Sequence, residues 1–333
     1  MIESKLGIKK YDNIAELNIC YEEDKLNDGD KILGYGGIRY KPLIDDLDGI
    51  QEGITIVLAQ SNVGKTTMLL SMAIDIVENH CKDAKPPRVA IYTFDDPLKK
   101  CFRNLISCIT QIPRKIISRK RVTPEKEEQV KAGKDALEGL MNAGIVDILC
   151  RKNIETWGNF VANVEKQYQI NPKLIVVIDG ISQIEYDKAT KRLESNEAKS
   201  SDLKALAARL NIPILLSQEV PKGNIVRPTK EDVAETRRWC YDADVIICLS
   251  NLDNKTRDES VRLNQKLHQE VVVSIEKSKT GSTLFHFGLL RNDIYQIEFI
   301  KSTPELLIRK NNYEKGIKWE LGKDYSGKTK EKK

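Results

Sequence analysis

Apolar and polar positions change rhythm along this chain, and the changes mark out its elements. Residues 54–58 (ITIVL), 89–94 (VAIYTF), 174–178 (LIVVI) and 213–217 (PILLS) are short, nearly continuous apolar runs rich in β-branched side chains. Such runs predict strands covered on both faces. Shorter strands are predicted at 146–149 and 244–249. Between the strands lie stretches that read as helices: one opening at residue 65, then 97–111, 124–142, 155–168, 198–210 and 230–238. Strands alternating with helices predict a parallel, doubly wound α/β sheet. After residue 250 the alternation stops. Residues 271–276, 283–287 and 295–300 predict an antiparallel extension that turns at Gly281 and at Asn292-Asp293.

Punctuation residues refine the boundaries. Asp96 is expected to cap a helix with Pro97 at its first position, and that helix should stop before Pro113. Thr123-Pro124 should open the next one. Residues 1–35 are polar and mixed, a predicted arm or linker with one short helix at 13–18, and residues 303–333 end in a basic tail. One domain over 36–302 is left, with no internal repeat.

Composition narrows the class. The 333 residues carry a net charge of +5, which permits a nucleic-acid partner without arguing for one. There is no run of about 18 uncharged apolar residues and no apolar leader near the start, so no membrane partner and a cytoplasmic protein are expected. Seven cysteines (Cys20, Cys81, Cys101, Cys108, Cys150, Cys240, Cys248) lack CxxC spacing and read as reduced thiols. His80, His268 and His286 form no metal-ligand pattern.

The chemistry concentrates where the first apolar run breaks. Ala59-Gln60-Ser61-Asn62-Val63-Gly64 is a polar loop, and Lys65-Thr66-Thr67 opens a long apolar helix. Strand, loop, then GK[ST] at a helix start is the context of a phosphate-binding loop. Its backbone N–H groups and helix N-terminus make an anion site. Lys65 adds a point charge, and the Thr66 hydroxyl is placed for Mg²⁺. Ala59 stands where the general pattern has Gly, so the loop entry must take an ordinary negative φ. The stretch reads as a nucleoside-triphosphate site.

Other carboxylates and amides end the remaining strands. Asp179 closes LIVVID, where ligands gather at the C-terminal ends of parallel strands, and is placed to share the Mg²⁺ shell with Thr66. Asp95 and Asp96 follow the second strand; with Asp96 assigned to capping, Asp95 is the candidate base for activating water. Gln218 follows Ser217 and could sense a γ-phosphate, relaying it to the loop 219–227. Lys277 and Lys279, two apart at a strand end, should point to one face and could clamp a phosphoryl group on a neighbouring subunit. The basic run 114–121, RKIISRKR, reads as a solvated surface loop.

Taken together, AQSNVGKT, YTFDDP, LIVVIDGISQI, SSDLKALAARLNIPILLSQ and EKSKTG resemble the ATPase domain of DnaB-like replicative helicases, within the RecA superfamily. The resemblance runs from about residue 37 to 299. It implies a RecA-like core, ATP and Mg²⁺ as cofactors, and nucleotide held between subunits of a homo-hexamer or other ring. It implies hydrolysis coupled to translocation on single-stranded DNA. That family's phosphate loop also commonly begins with Ala. Asp95 falls where the family has a catalytic glutamate, and Lys279 where it has an arginine finger, which a lysine cannot replace bidentately. Loops 185–197 and 219–227 are then expected to line a channel, with Lys188, Lys191, Arg192, Lys222 and Arg227 on strand phosphates. The family's primase-interacting N-terminal domain has no counterpart in the sequence, so the reading is of a phage-type protein partnered by a helicase loader or primase. The alternative is a RecA- or KaiC-like DNA-binding or remodelling ATPase without unwinding activity.

Overall fold

The structure, a computed structural model, describes residues 34–118, 123–186, 191–221, 228–234, 236–251, 268–279, 285–291 and 294–300. The expected arm with its helix at 13–18, the basic tail, the turns at Gly281 and Asn292-Asp293, and Cys20, Lys188, Lys222 and Arg227 lie outside them.

Among the described residues nine strands form one sheet, in the order β3-β2-β4-β5-β1-β6-β7-β8-β9. The six parallel ones are β1 (Gly53–Ala59), β2 (Arg88–Thr93), β3 (Val146–Cys150), β4 (Leu174–Asp179), β5 (Pro213–Glu219) and β6 (Val245–Asn251). β7 (His268–Lys277), β8 (Phe285–Arg291) and β9 (Gln296–Ile300) continue the sheet antiparallel. The expected mostly parallel sheet with an antiparallel C-terminal extension is what is found.

Apolar runs become parallel strands because both faces are covered. Val57 and Ala59 of β1 pack into one core, and Ile54, Ile56 and Leu58 into the other. Each such buried Ile or Leu stabilises the fold by about 1.5–3 kcal/mol. The first core holds α2 (Lys65–His80) and α3 (Leu98–Thr110); the second holds α6 (Trp157–Ile170) and α7 (Arg192–Leu210). The remaining helices among the described residues are α1 (Lys41–Asp46), α4 (Arg114–Ile117), α5 (Pro124–Asn142) and α8 (Arg238–Asp242). α2 is buried without interruption from Thr67 to Val77. Leu290, Tyr295 and Ile297 of the extension join the same core and add to that burial.

Several boundaries differ from expectation, each for a local reason. Asp96 does not cap α3. Pro97 takes the N-cap position with φ −60° and ψ 144°, and the Asp96 carboxylate instead pairs with Lys100 at 2.6 Å. α7 begins at Arg192 rather than 198, so half of the expected channel loop 185–197 is helix. The helix expected at 230–238 is a 3₁₀ turn, Lys230–Asp232, closed by a Thr229/Asp232 capping box, followed by the short α8. Of the basic run, 114–117 is the single turn α4. All six described cysteines are free thiols. No helix among the described residues is long and apolar enough to cross a membrane.

Candidate functional site

The sheet register itself assembles the site. Leu58 is paired with Gln218 and Ala59 with Glu219, while Thr93 is paired with Asp179. The residues that follow β1, β2, β4 and β5 therefore emerge side by side at one end of the sheet. Ala59 is not among the positive-φ residues, as expected; the left-handed step falls on Asn62, φ 66°, a residue type that tolerates it. Gly64 has φ 109°, and a Cβ there would stand 2.9 Å from Leu290 Cδ1 of β8. Gly180, φ 82°, has the same function beside β4, since a Cβ would meet Asp95 Cβ at 2.8 Å. Glycine thus lets the Asp95 loop close onto the end of β4.

Lys65 is folded back over its loop. Its Nζ donates to the carbonyls of Ala59 and Gln60, both at 3.1 Å, and lies 3.4 Å from Glu219 Oε1. Burial pulls its ammonium below the usual lysine range, against the opposing charges of Glu219, Asp179 and Asp95. Thr66 Oγ1 donates to Asp179 Oδ2 at 2.8 Å, and Ser217 Oγ to Asp179 Oδ1 at 2.7 Å. Burial pushes the Asp179 carboxyl up in spite of those two donations, and Asp95 and Asp96 push it further. Asp95 is exposed. Gln218 is buried, and its Nε2 has no hydrogen-bond partner, a costly arrangement for an amide donor.

The donor set at Thr66 and Asp179 is one hydroxyl and one carboxylate, hard oxygens that suit Mg²⁺ rather than a soft metal. A desolvated carboxylate with its pKa raised is also one that a dication would return to the charged form. These residues fit the ion.

Lys65, Thr66, Asp95, Asp179 and Gln218, expected together, are together. Lys277 and Lys279 are not with them. Lys277 Nζ donates to the carbonyls of Cys240, Tyr241 and Ala243 (2.9, 3.2 and 2.6 Å) at the end of α8. Lys279 bonds the Glu52 carbonyl at 2.6 Å and its carboxylate at 2.9 Å. Glu52 precedes β1 and the phosphate loop follows it, so roughly 20 Å of strand separates them. Neither lysine can reach the nucleotide loop of its own chain. Lys191 is the exposed N-cap residue of α7 and Arg192 its first helical residue.

Two residues escaped the sequence reading. Ser217 supports Asp179, and its only signal was its place one residue before Gln218. Glu219 holds both Lys65 and Ser61, the latter at 2.9 Å. Its contacts are 158 and 154 residues away in sequence, and no local pattern announces them.

The model of the DnaB-like helicase C terminal domain family matches residues 39–288. The chain belongs to that family. As a DnaB-like domain it has the fold of a helicase-type ATPase, and solved structures agree. It is similar to a solved ATPase domain that it matches from end to end, with TM-score 0.72 and 19% identity over 88% of this chain and 100% of that one. It is also similar to a DnaB-like replicative helicase whose structure describes its interactions with primase (TM-score 0.69, 21% identity, 90% and 70% covered). A third likeness is to a KaiC-like protein from the hyperthermophilic archaeon Pyrococcus horikoshii OT3, with TM-score 0.50 and 12% identity over 77% and 94%. At these identities the likeness is one of fold. No curated protein sequence matches the chain.

Proposed function

We propose that this chain is an ATP-driven DNA helicase subunit of DnaB-like type, acting in a ring with nucleotide between neighbours. The observation that carries the reading is the convergence of Lys65, Thr66, Asp95, Asp179 and Gln218 at one end of the sheet of a DnaB-like domain. The loop 59–67 holds the phosphates through its N–H groups and Lys65, which exchanges its carbonyl and Glu219 contacts for phosphate oxygens. Thr66 and Asp179 hold Mg²⁺; when bound, the ion offsets charge on the phosphate oxygens. Asp95 orients and deprotonates the attacking water. It is one methylene shorter than a glutamate, so turnover is slow relative to a glutamate-bearing site. Gln218, with an unpartnered donor, reports the γ-phosphate to the segment after β5. Lys277 and Lys279 of one subunit serve the nucleotide of the next, and Lys188, Lys191, Arg192, Lys222 and Arg227 track the phosphates of a single strand. Residues 1–35 act as an arm to the neighbour ahead of the ATPase domain at 36–302, and a loader or primase is the expected further partner.

The test is steady-state ATP hydrolysis with and without single-stranded DNA, followed by strand displacement on a forked duplex. DNA-stimulated turnover with displacement is expected. Turnover that ignores DNA would refute the helicase reading in favour of a KaiC-like ATPase, which Asp95 and the lysine at position 279 also fit. Lys65→Ala should abolish nucleotide binding, and wild-type affinity for a fluorescent ATP analogue in that variant would refute the site.

A further inference from the structure

A second cluster of cations lies outside the nucleotide loop. Lys100, Arg103 and Asn104 of α3, together with Arg114, Lys115 and Ser118 of α4 and its C-cap, line an open cleft of about 430 Å³. Among the described residues six line it, four of them cationic and none acidic. Lys100 has a partner outside the cleft wall in Asp96. Arg103 Nη1 donates to Ser118 Oγ at 2.9 Å, a neutral acceptor that leaves the guanidinium charge uncompensated by that bond. Arg114 lies over the Tyr295 ring, 4.9 Å from its centroid, and its Nη1 reaches Asn104 Oδ1 at 3.5 Å.

The decisive residue is Asn104. Its side chain lines the cleft yet is 1% exposed, and its Nδ2 has no hydrogen-bond partner. Buried amide donors are nearly always satisfied, because an unmade bond costs the full desolvation of the group. Cations gathered on one wall repel one another and lower the cost of admitting an anion. Planar guanidinium groups match the oxygens of a phosphate group.

We propose that this cleft is a second anion site, specific for a phosphate group and separate from the nucleotide loop. The phosphate is either free or part of a nucleic-acid backbone. The basic run 114–121, which read as a plain solvated loop, thereby contributes Arg114 and Lys115 to a built site.

The test uses the full chain carrying Lys65→Ala, so that the nucleotide loop does not contribute. Isothermal titration with inorganic pyrophosphate and, separately, with a short oligothymidylate measures both sources. Adding Arg103→Gln with Lys115→Gln, both surface changes, should weaken at least one of the two ligands about tenfold or more, the size expected for a lost charge-assisted contact. Loss for pyrophosphate alone identifies a free phosphate, and loss that includes the oligonucleotide identifies a strand. Asn104→Asp, which puts a carboxylate at the base of the cleft, should weaken the same ligand, with circular dichroism confirming the fold of each variant. Unchanged affinities for both ligands in the double variant would overturn the proposal.

Discussion

Replacing Ser217 by alanine removes one atom and tests how Asp179 is held. Ser217 is buried; its hydroxyl donates to Asp179 Oδ1 at 2.7 Å and accepts from the Gly180 N–H at 3.3 Å. A hydrogen bond to a charged group contributes about 1.5–3 kcal/mol and a neutral one about 1. The variant should therefore lose about 3 kcal/mol near neutral pH, a large part of a typical 5–15 kcal/mol. The two parts separate with pH. The donation to Asp179 favours its charged form, so that contribution is present above the Asp179 pKa and lost as pH falls through it. Burial raises that pKa above its ordinary value of 3.8, so the protonation that removes this contribution sets in at a higher pH than for an exposed aspartate. Urea unfolding at about pH 7.5 and pH 4 should show the loss shrinking toward about 1 kcal/mol, the Gly180 share. A loss of equal size at both pH values, or one below about 0.5 kcal/mol at neutral pH, would refute the reasoning.

Three further outcomes are expected. Gly64→Ala places a Cβ at φ 109° against Leu290 and should destabilise the chain by about 1–3 kcal/mol in thermal unfolding; Leu290→Ala added to it should relieve the contact but not the backbone strain. Asp75→Ala removes the acceptor of the Ile38, Arg39 and Tyr40 N–H groups at 3.0, 2.9 and 3.0 Å. Since Tyr40 is fully buried, urea titration should read a loss of about 2–4 kcal/mol. Asp95→Asn should slow ATP hydrolysis about 10²–10⁴-fold with nucleotide affinity retained, and Asp95→Glu should speed it; a turnover number indifferent to both changes would remove Asp95 from the chemistry.

The parts of the fold that were legible in sequence are those where one physical cause dominates. A strand buried on both faces must be continuously apolar, and β1, β2, β4 and β5 were found within two residues of their ends. The start of α7 was hidden because its inward face is polar. Asn196, Lys199 and Ser200 are buried there, with Lys199 Nζ donating to the Ile184 carbonyl at 2.6 Å and Ser200 Oγ to Asp242 at 2.7 Å. Hydrophobic periodicity cannot register a face built on hydrogen bonds. Asp96 misled for a related reason: a side chain suited to capping found a lysine one turn on, and Pro97 took the cap by its backbone alone. In the site, the residues at strand ends were legible because parallel strands deliver their C-terminal ends to one place. Glu219, whose contacts depend on the register of β1 with β5, was not.

The separation of Lys277 and Lys279 from the phosphate loop along β1 has a consequence for symmetry. On the proposed role of these lysines, each copy carries a socket at one end of its sheet and the matching plug at the other. Such complementary but unlike surfaces do not make self-complementary two-fold pairs; they repeat head to tail, and only the rotation between neighbours decides whether the repeat closes into a ring or runs on as a filament. Every site within the series is then completed by the next copy, and an unclosed series leaves one incomplete site at its end. A single chain in solution would bind nucleotide as half of a machine.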